Sequence, residues 1–125
     1  FVNNTGLEEK FAIEFRDSSW FRKEVKETLS KIKVTMVSID APEFELKVFK
    51  TTNSIYLRLH GRTVWYHHIY TEPEIMEILK EVFYFKDATD IYIFLNNNHG
   101  MLPAGRLILK LLPLIEKKYD VKIEL

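Results

Sequence analysis

The chain contains no cysteine. Disulfides, thiolate nucleophiles and cysteine metal sites are therefore excluded. A reducing cytoplasm is compatible with that composition, and it is the expected location. Net charge is also lacking, since 18 basic residues balance 18 acidic ones. No global field is present to steer nucleic acid or to hold the chain on an anionic membrane, although a local basic patch can still exist. No apolar run approaches the roughly 18 to 20 residues that span a bilayer. The densest, Leu107 to Ile115, is interrupted by Lys110 and Pro113. The opening "FVNNTGLEEK" lacks the basic-then-apolar order of a secretory signal. Low-complexity tracts and flexible linkers are absent too. The first residue is Phe1 rather than Met, as expected of a processed chain or of a piece of a longer one.

What the chain has is apolar material. It is 46% hydrophobic and 14% aromatic over 125 residues, enough for one substantial core. "FAIEFR" (11–16) reads as a strand that ends in charge. In "DSSWFRKEVKETLSKI", Asp17, Ser18 or Ser19 can cap a helix, and Phe21, Val25, Leu29 and Ile32 recur at helical spacing. "VTMVSID" (34–40) and "SIYLRLHG" (54–61) are further strands, and "FELKVFK" between them is an exposed strand or an extended loop. "TEPEIMEIL" opens a helix, with Thr71 as cap, Pro73 in the first turn and Glu74 completing a capping box. "DIYIFL" (90–95) is the next strand, and "AGRLILKLLPLIEKKY" is an apolar helix expected to bend near Pro113. "VKIEL" is a final strand or an ordered tail.

Strands alternating with helices imply an α/β fold with a parallel sheet. Ligands of such folds gather at the carboxyl ends of the strands. Those ends carry Glu14 and Arg16 (with Trp20 following), Asp40, Arg58 and His60, and then Asn96, Asn97, Asn98 and His99. Glu14 and Arg16 share one face of their strand, as do Arg58 and His60. Two readings stand for each. Glu14 and Arg16 form a structural ion pair, or Arg16 and Arg58 hold a phosphate or carboxylate. His60 is a hydrogen-bonded wall residue, or it moves protons near neutral pH. Asp40, His60 and His99 have zinc-compatible chemistry but no metal-ligand spacing, so no metal or other cofactor is assigned. "RTVWYHHIY" (62–70) stacks a ring beside Arg62, or packs as an aromatic lid. "NNNHG" is a turn, or a ligand site with more amides than a turn needs.

Taken together, "AIEFRDSSWF", "YLRLHGR", the tyrosine before "TEPEI" (Tyr70) and "DIYIFLNNNHG" resemble the YecE-like family, also called domain of unknown function 72. The resemblance runs over nearly the whole chain, in order. It matches Glu14, Arg16 and Trp20, then Arg58, His60 and Gly61, then Asn96 and Asn97. It departs at Gly105, where family members tend to carry an Asn. It implies a TIM-barrel-like (β/α) fold of which residues 1–125 are the carboxyl-terminal half, with about four parallel strands supplying the fifth to eighth of a full barrel. Half a barrel leaves two sheet edges and one core face open, so the resemblance implies a partner. That partner is the missing amino-terminal half-barrel or a second copy of the chain.

Two functions follow. In the first, the strand ends bind or hydrolyse a phosphate-containing ligand, either a small phosphorylated molecule or a nucleic acid. Glu14 and His60 then act catalytically, and Arg16, Trp20, Asp40, Arg58, Arg62, Tyr70, Asn96 and Asn97 bind the ligand. In the second, the same residues form an internal network in a non-catalytic interaction module.

Overall fold

The computed structural model describes residues 1–125, the side chain of Glu9 excepted. Four strands, β1 (Ala12–Ile13), β2 (Thr35–Asp40), β3 (Ser54–Leu59) and β4 (Asp90–Leu95), form one sheet in the order β1-β2-β3-β4. Every neighbouring pair is parallel. The helices are α1 (Val2–Thr5), α2 (Lys23–Lys31), α3 (Glu72–Phe83) and α4 (Met101–Tyr119). Because the strands all run one way, Glu14, Asp40, His60 and Asn96 come to the same rim of the sheet.

Side-chain alternation sorts the sheet into two faces. Ile55, Leu57 and Leu59 are fully buried against Ile75, Ile78, Leu79 and Val82 of α3 and Leu111 and Ile115 of α4. Ile91, Ile93 and Leu95 join the same core. A second core gathers Phe21, Val25 and Leu29 of the α2 region on Ile13, Val34 and Met36. The other face carries Tyr56, Arg58, Tyr92 and Phe94. Among the described residues no helix covers it, and Tyr92 and Phe94 stay 48% and 44% exposed.

The expected strand 11–16 pairs only through Ala12↔Thr35 and Ile13↔Met36. Pairing stops where the side chains become charged and the chain turns into the Asp17 cap. The expected helix 17–32 divides accordingly. Asp17 Oδ1 accepts from the Ser19 N–H at 2.8 Å and starts a 3₁₀ turn, Ser18–Trp20, ahead of α2. Ile32 falls outside the helix as its C-cap and is exposed.

Between β2 and β3 the crossover is a loop, not a helix or a strand. Leu46 and Val48 pack on the main core and Phe49 on the second. The Ser38 Oγ accepts from the Phe49 N–H at 2.8 Å, and the Thr51 hydroxyl donates to the Val34 carbonyl at 2.6 Å. Those bonds sew the loop onto the sheet where a crossover helix would lie. The Thr71 hydroxyl accepts from the Glu74 N–H at 3.4 Å, which is half of the capping box. The other half is missing because the Glu74 carboxylate turns to His68. α4 starts at Met101, three residues before the expected Ala104, and runs through Pro113. Residues 121–125 are a tail that seats Val121 and Ile123 on the core. Among the described residues, no helix is long and apolar enough to cross a membrane.

Candidate functional site

One carboxylate organises the uncovered face of the rim. Glu14 Oε2 accepts from Arg58 Nη1 at 2.7 Å, and Glu14 Oε1 meets Arg16 Nε at 2.5 Å. His60 Nε2 lies 3.3 Å from the same Oε1. Asn96 Oδ1 accepts from Arg58 Nε at 3.1 Å, which fixes the plane of that guanidinium. Three strand ends thus meet in five side chains, and two guanidinium groups share one carboxylate. Glu14 is the inner member at 12% side-chain exposure, while Arg58 is 31% and Arg16 49% exposed.

The aromatic loop closes over part of this cluster. The Trp65 ring lies 5.4 Å from the His60 ring, and the Arg16 guanidinium sits 5.5 Å over the Trp65 centroid. Tyr66 meets His60 edge-on at 5.6 Å. Under that cover His60 is fully buried, and its Nδ1 has no hydrogen-bond partner among the described residues. Burial pushes its pKa below the ordinary histidine value of 6.5. The Glu14 carboxylate opposes that shift, and the charges of Arg16 and Arg58 add to it. A neutral imidazole that donates from Nε2 to Glu14 and leaves the Nδ1 lone pair without a donor among the described residues fits this setting. Trp65 and Tyr66 were legible only as members of an aromatic loop, because sequence spacing does not say which rings turn inward.

A second network lies on the opposite face of the sheet. Asp40 is the register partner of Leu59, whose side chain is in the helix-side core, so Asp40 points there too. The buried Tyr70 hydroxyl donates to Asp40 Oδ2 at 2.6 Å and accepts from the Gly61 N–H at 3.0 Å. Arg62 Nε donates to the same carboxylate oxygen at 3.2 Å and Arg62 Nη1 to Glu77 at 2.9 Å. Burial raises the Tyr70 pKa far above its ordinary value, and the Asp40 carboxylate adds to the rise, so the phenol keeps its proton. The structure therefore does not bring Asp40, Arg62 and Tyr70 to the Arg58 cluster. A cavity of about 400 Å³ lined by Asp40, Arg62, Glu77 and Glu81 borders this network instead.

Asn97 departs from its neighbour in the same way. It is fully buried on the helix side, where its Nδ2 donates to the His68 carbonyl at 2.9 Å. That bond needs Gly100, since a Cβ there would lie 2.7 Å from the His68 carbonyl oxygen. His68 is anchored further by Glu74 at 2.5 Å and Thr63 at 3.0 Å. Asn97 thus anchors the aromatic loop rather than facing the space before Arg58. Asn98, at φ 48°, and His99 form the 3₁₀ turn that leads into α4. Trp20 stacks on Phe15 at 4.7 Å, and no hydrogen bond or ring contact joins it to Glu14 or Arg58 among the described residues. No group of three His, Asp or Glu positioned for a metal ion occurs among the described residues.

The chain matches the family described as "Protein of unknown function DUF72" over residues 1–122. It is similar to a solved DUF72 family protein of Thermotoga maritima MSB8, with 26% identity and a TM-score of 0.76. That match covers 90% of this chain and 51% of that one. A DUF72 family protein of Enterococcus faecalis V583 superposes in one crystal structure with a TM-score of 0.74 at 22% identity, covering 82% of this chain and 48% of that one. A second structure of it gives 0.67 at 19% identity, covering 98% and 54%. No curated protein matches. The α/β fold, with its four parallel strands and helices, is that of these TIM-barrel-like proteins, and the chain spans about half their length.

Proposed function

Because the chain belongs to the DUF72 family, whose function is unknown, its own geometry must suggest the chemistry, and we propose that the rim cluster binds the phosphate group of a ligand. The observation that carries this is the imbalance of charge. One carboxylate serves two guanidinium groups, and both arginines are part-exposed on the uncovered face. Arg16 uses Nε toward Glu14, and Arg58 uses Nε and Nη1 toward Asn96 and Glu14. The remaining N–H groups are the fork-shaped donors that match phosphate oxygens. The Asn96 amide nitrogen, whose orientation is fixed by Arg58 on its oxygen, supplies another. A small phosphorylated molecule or a nucleic-acid phosphate offers the same oxygens. A net charge of zero favours the small molecule, because no wider field supports backbone binding.

Hydrolysis is the finer reading. Glu14 and His60 are the proton carriers beside the bound phosphate. A water attacking phosphorus would pass its proton to Glu14 while the P–O bond to the leaving group breaks and the departing oxygen takes a proton from solvent, with His60 at 3.3 Å supporting the carboxylate. The non-catalytic alternative draws on one specific observation: both Glu14 oxygens are already engaged and His60 is fully buried. Thermal-shift titration with inorganic phosphate and phosphorylated metabolites, on wild type and Arg58→Ala, separates the two. A ligand that binds the native state raises its melting temperature by mass action. A rise in wild type that disappears in a folded Arg58→Ala is the expected result. No rise with any phosphate refutes the reading, and an unfolded Arg58→Ala assigns the cluster to structure.

A further inference from the structure

The loop 62–70 carries the rings that close over the cluster, and its shape is not one it takes freely. Tyr66 has φ +65°, a backbone region that a bulky aromatic residue enters only when its surroundings hold it there. Its N–H donates to the His60 carbonyl at 2.6 Å, so the turn doubles back onto the strand end. Beside it, Trp65 lies 5.4 Å from the His60 ring, with the Arg16 guanidinium 5.5 Å over its centroid. The groups that hold this conformation come from the helix side of the sheet. Asn97, fully buried, donates from Nδ2 to the His68 carbonyl at 2.9 Å. The His68 ring is engaged at both nitrogens. With the proton on Nε2 it donates to Glu74 at 2.5 Å, and Nδ1 accepts from the Thr63 hydroxyl at 3.0 Å. Thr63 and His68 bracket Trp65 and Tyr66, so one imidazole ties both ends of the strained segment together and fastens them to α3.

We propose that Asn97, His68 and Glu74 are positioning residues of the phosphate site: from the helix side they hold loop 62–70 so that Trp65 seats Arg16 beside Glu14 and keeps water from His60. Arg16 has two supports, the Glu14 carboxylate at its Nε and the Trp65 face beneath it. An indole face attracts a guanidinium, and so fixes the direction in which its remaining N–H groups point. Without the ring, Arg16 keeps only a carboxylate that Arg58 shares, and phosphate must order it on binding. His60 is faced by Glu14, Arg16 and Arg58 from the strand ends and by Trp65 and Tyr66 from the loop. Lifting the loop brings water to the imidazole and removes the burial that lowers its pKa. The Tyr70 hydroxyl is no part of this path, since its bonds go to Asp40 and Gly61.

The effect on affinity rests on the phosphate reading above; the hold on His60 does not. Calorimetric titration of inorganic phosphate, together with NMR titration of the His60 ring (the signal absent in His60→Gln), tests both. Asn97→Ala is expected to weaken phosphate binding on the order of tenfold, although it lies on the opposite face, and to raise the His60 pKa toward 6.5. Glu74→Ala should move both values the same way by less. Glu74→Gln, whose amide oxygen still accepts from His68 Nε2, should restore them. Lys110→Ala, which breaks the pair with Glu72 at the start of the same helix, should change neither. A loss of stability alone would leave the His60 pKa of the folded chain where it is. Should Asn97→Ala fail to fold, the two Glu74 variants carry the test. Either value unchanged in the folded variants of a chain that binds phosphate overturns the inference. If wild type binds no phosphate, that reading fails by itself, and an unchanged His60 pKa then overturns the positioning role.

Discussion

Replacing Tyr70 with phenylalanine isolates the network on the helix side of the rim. The ring stays in its buried site, and only one oxygen is lost. That oxygen makes two bonds, donating to Asp40 Oδ2 at 2.6 Å and accepting from the Gly61 N–H at 3.0 Å. A hydrogen bond to a charged group contributes about 1.5–3 kcal/mol, and a buried N–H left without a partner costs about 1–3 kcal/mol. Arg62 remains on Asp40 at 3.2 Å, so the carboxylate is not stranded and the lower part of each range applies. A loss of about 3 kcal/mol is expected, a large share of the roughly 5–15 kcal/mol that holds a domain folded. At about 4 °C per kcal/mol for a chain of this size, the melting temperature should fall by about 12 °C. Urea denaturation is the assay, with the midpoint lowered and the slope unchanged. The response to phosphate should survive, because Arg58 lies on the other face. A loss below about 1 kcal/mol would show that water replaces the hydroxyl, contrary to its burial. A lost phosphate response would show that the two networks act as one.

Gly61→Ala should destabilise by about 3 kcal/mol or more, read from the denaturation midpoint, since φ is +110° there and an added Cβ would meet the Val64 carbonyl oxygen at 2.5 Å. Gly100→Ala needs no unusual backbone angle, so its smaller cost should come from displacing Asn97 and the His68 carbonyl. Hydrogen exchange should then report faster opening of residues 62–70. His60 sets a pH dependence. Its folded pKa lies below 6.5, so the unfolded chain takes up the proton first as pH falls. The stability it contributes is complete above 6.5 and declines on acidification below that value. Melting curves across that window should show the decline in wild type and a shallower one in His60→Gln.

The strands with clean alternation were legible in detail. Ile55, Leu57 and Leu59 against Tyr56 and Arg58 define two faces by spacing alone, and Ile91, Ile93 and Leu95 do the same for β4. The same parity sends Asn96 and Asn97 to opposite faces, which their joint assignment to the ligand site missed. Asp40 was not legible in this way. β2 is buried at all six positions, so its pattern carries no parity, and only the register Asp40↔Leu59 turns the carboxylate to the helix side. The helix-free crossover is not decided by "FELKVFK", because an alternating segment suits an exposed strand as well as a loop whose apolar residues reach a core. The Glu74 carboxylate fits a capping box by spacing, yet His68 competes for it from a loop whose path depends on Gly61 and Gly100.

The excess of guanidinium over carboxylate at the rim makes the central claim, and calorimetric titration of inorganic phosphate into the chain at low ionic strength tests it most directly. Saturable binding is predicted, weakened by added salt and abolished in a folded Arg16→Gln, Arg58→Gln double variant. The absence of saturable binding in wild type, or an unchanged affinity in the double variant, would contradict the account.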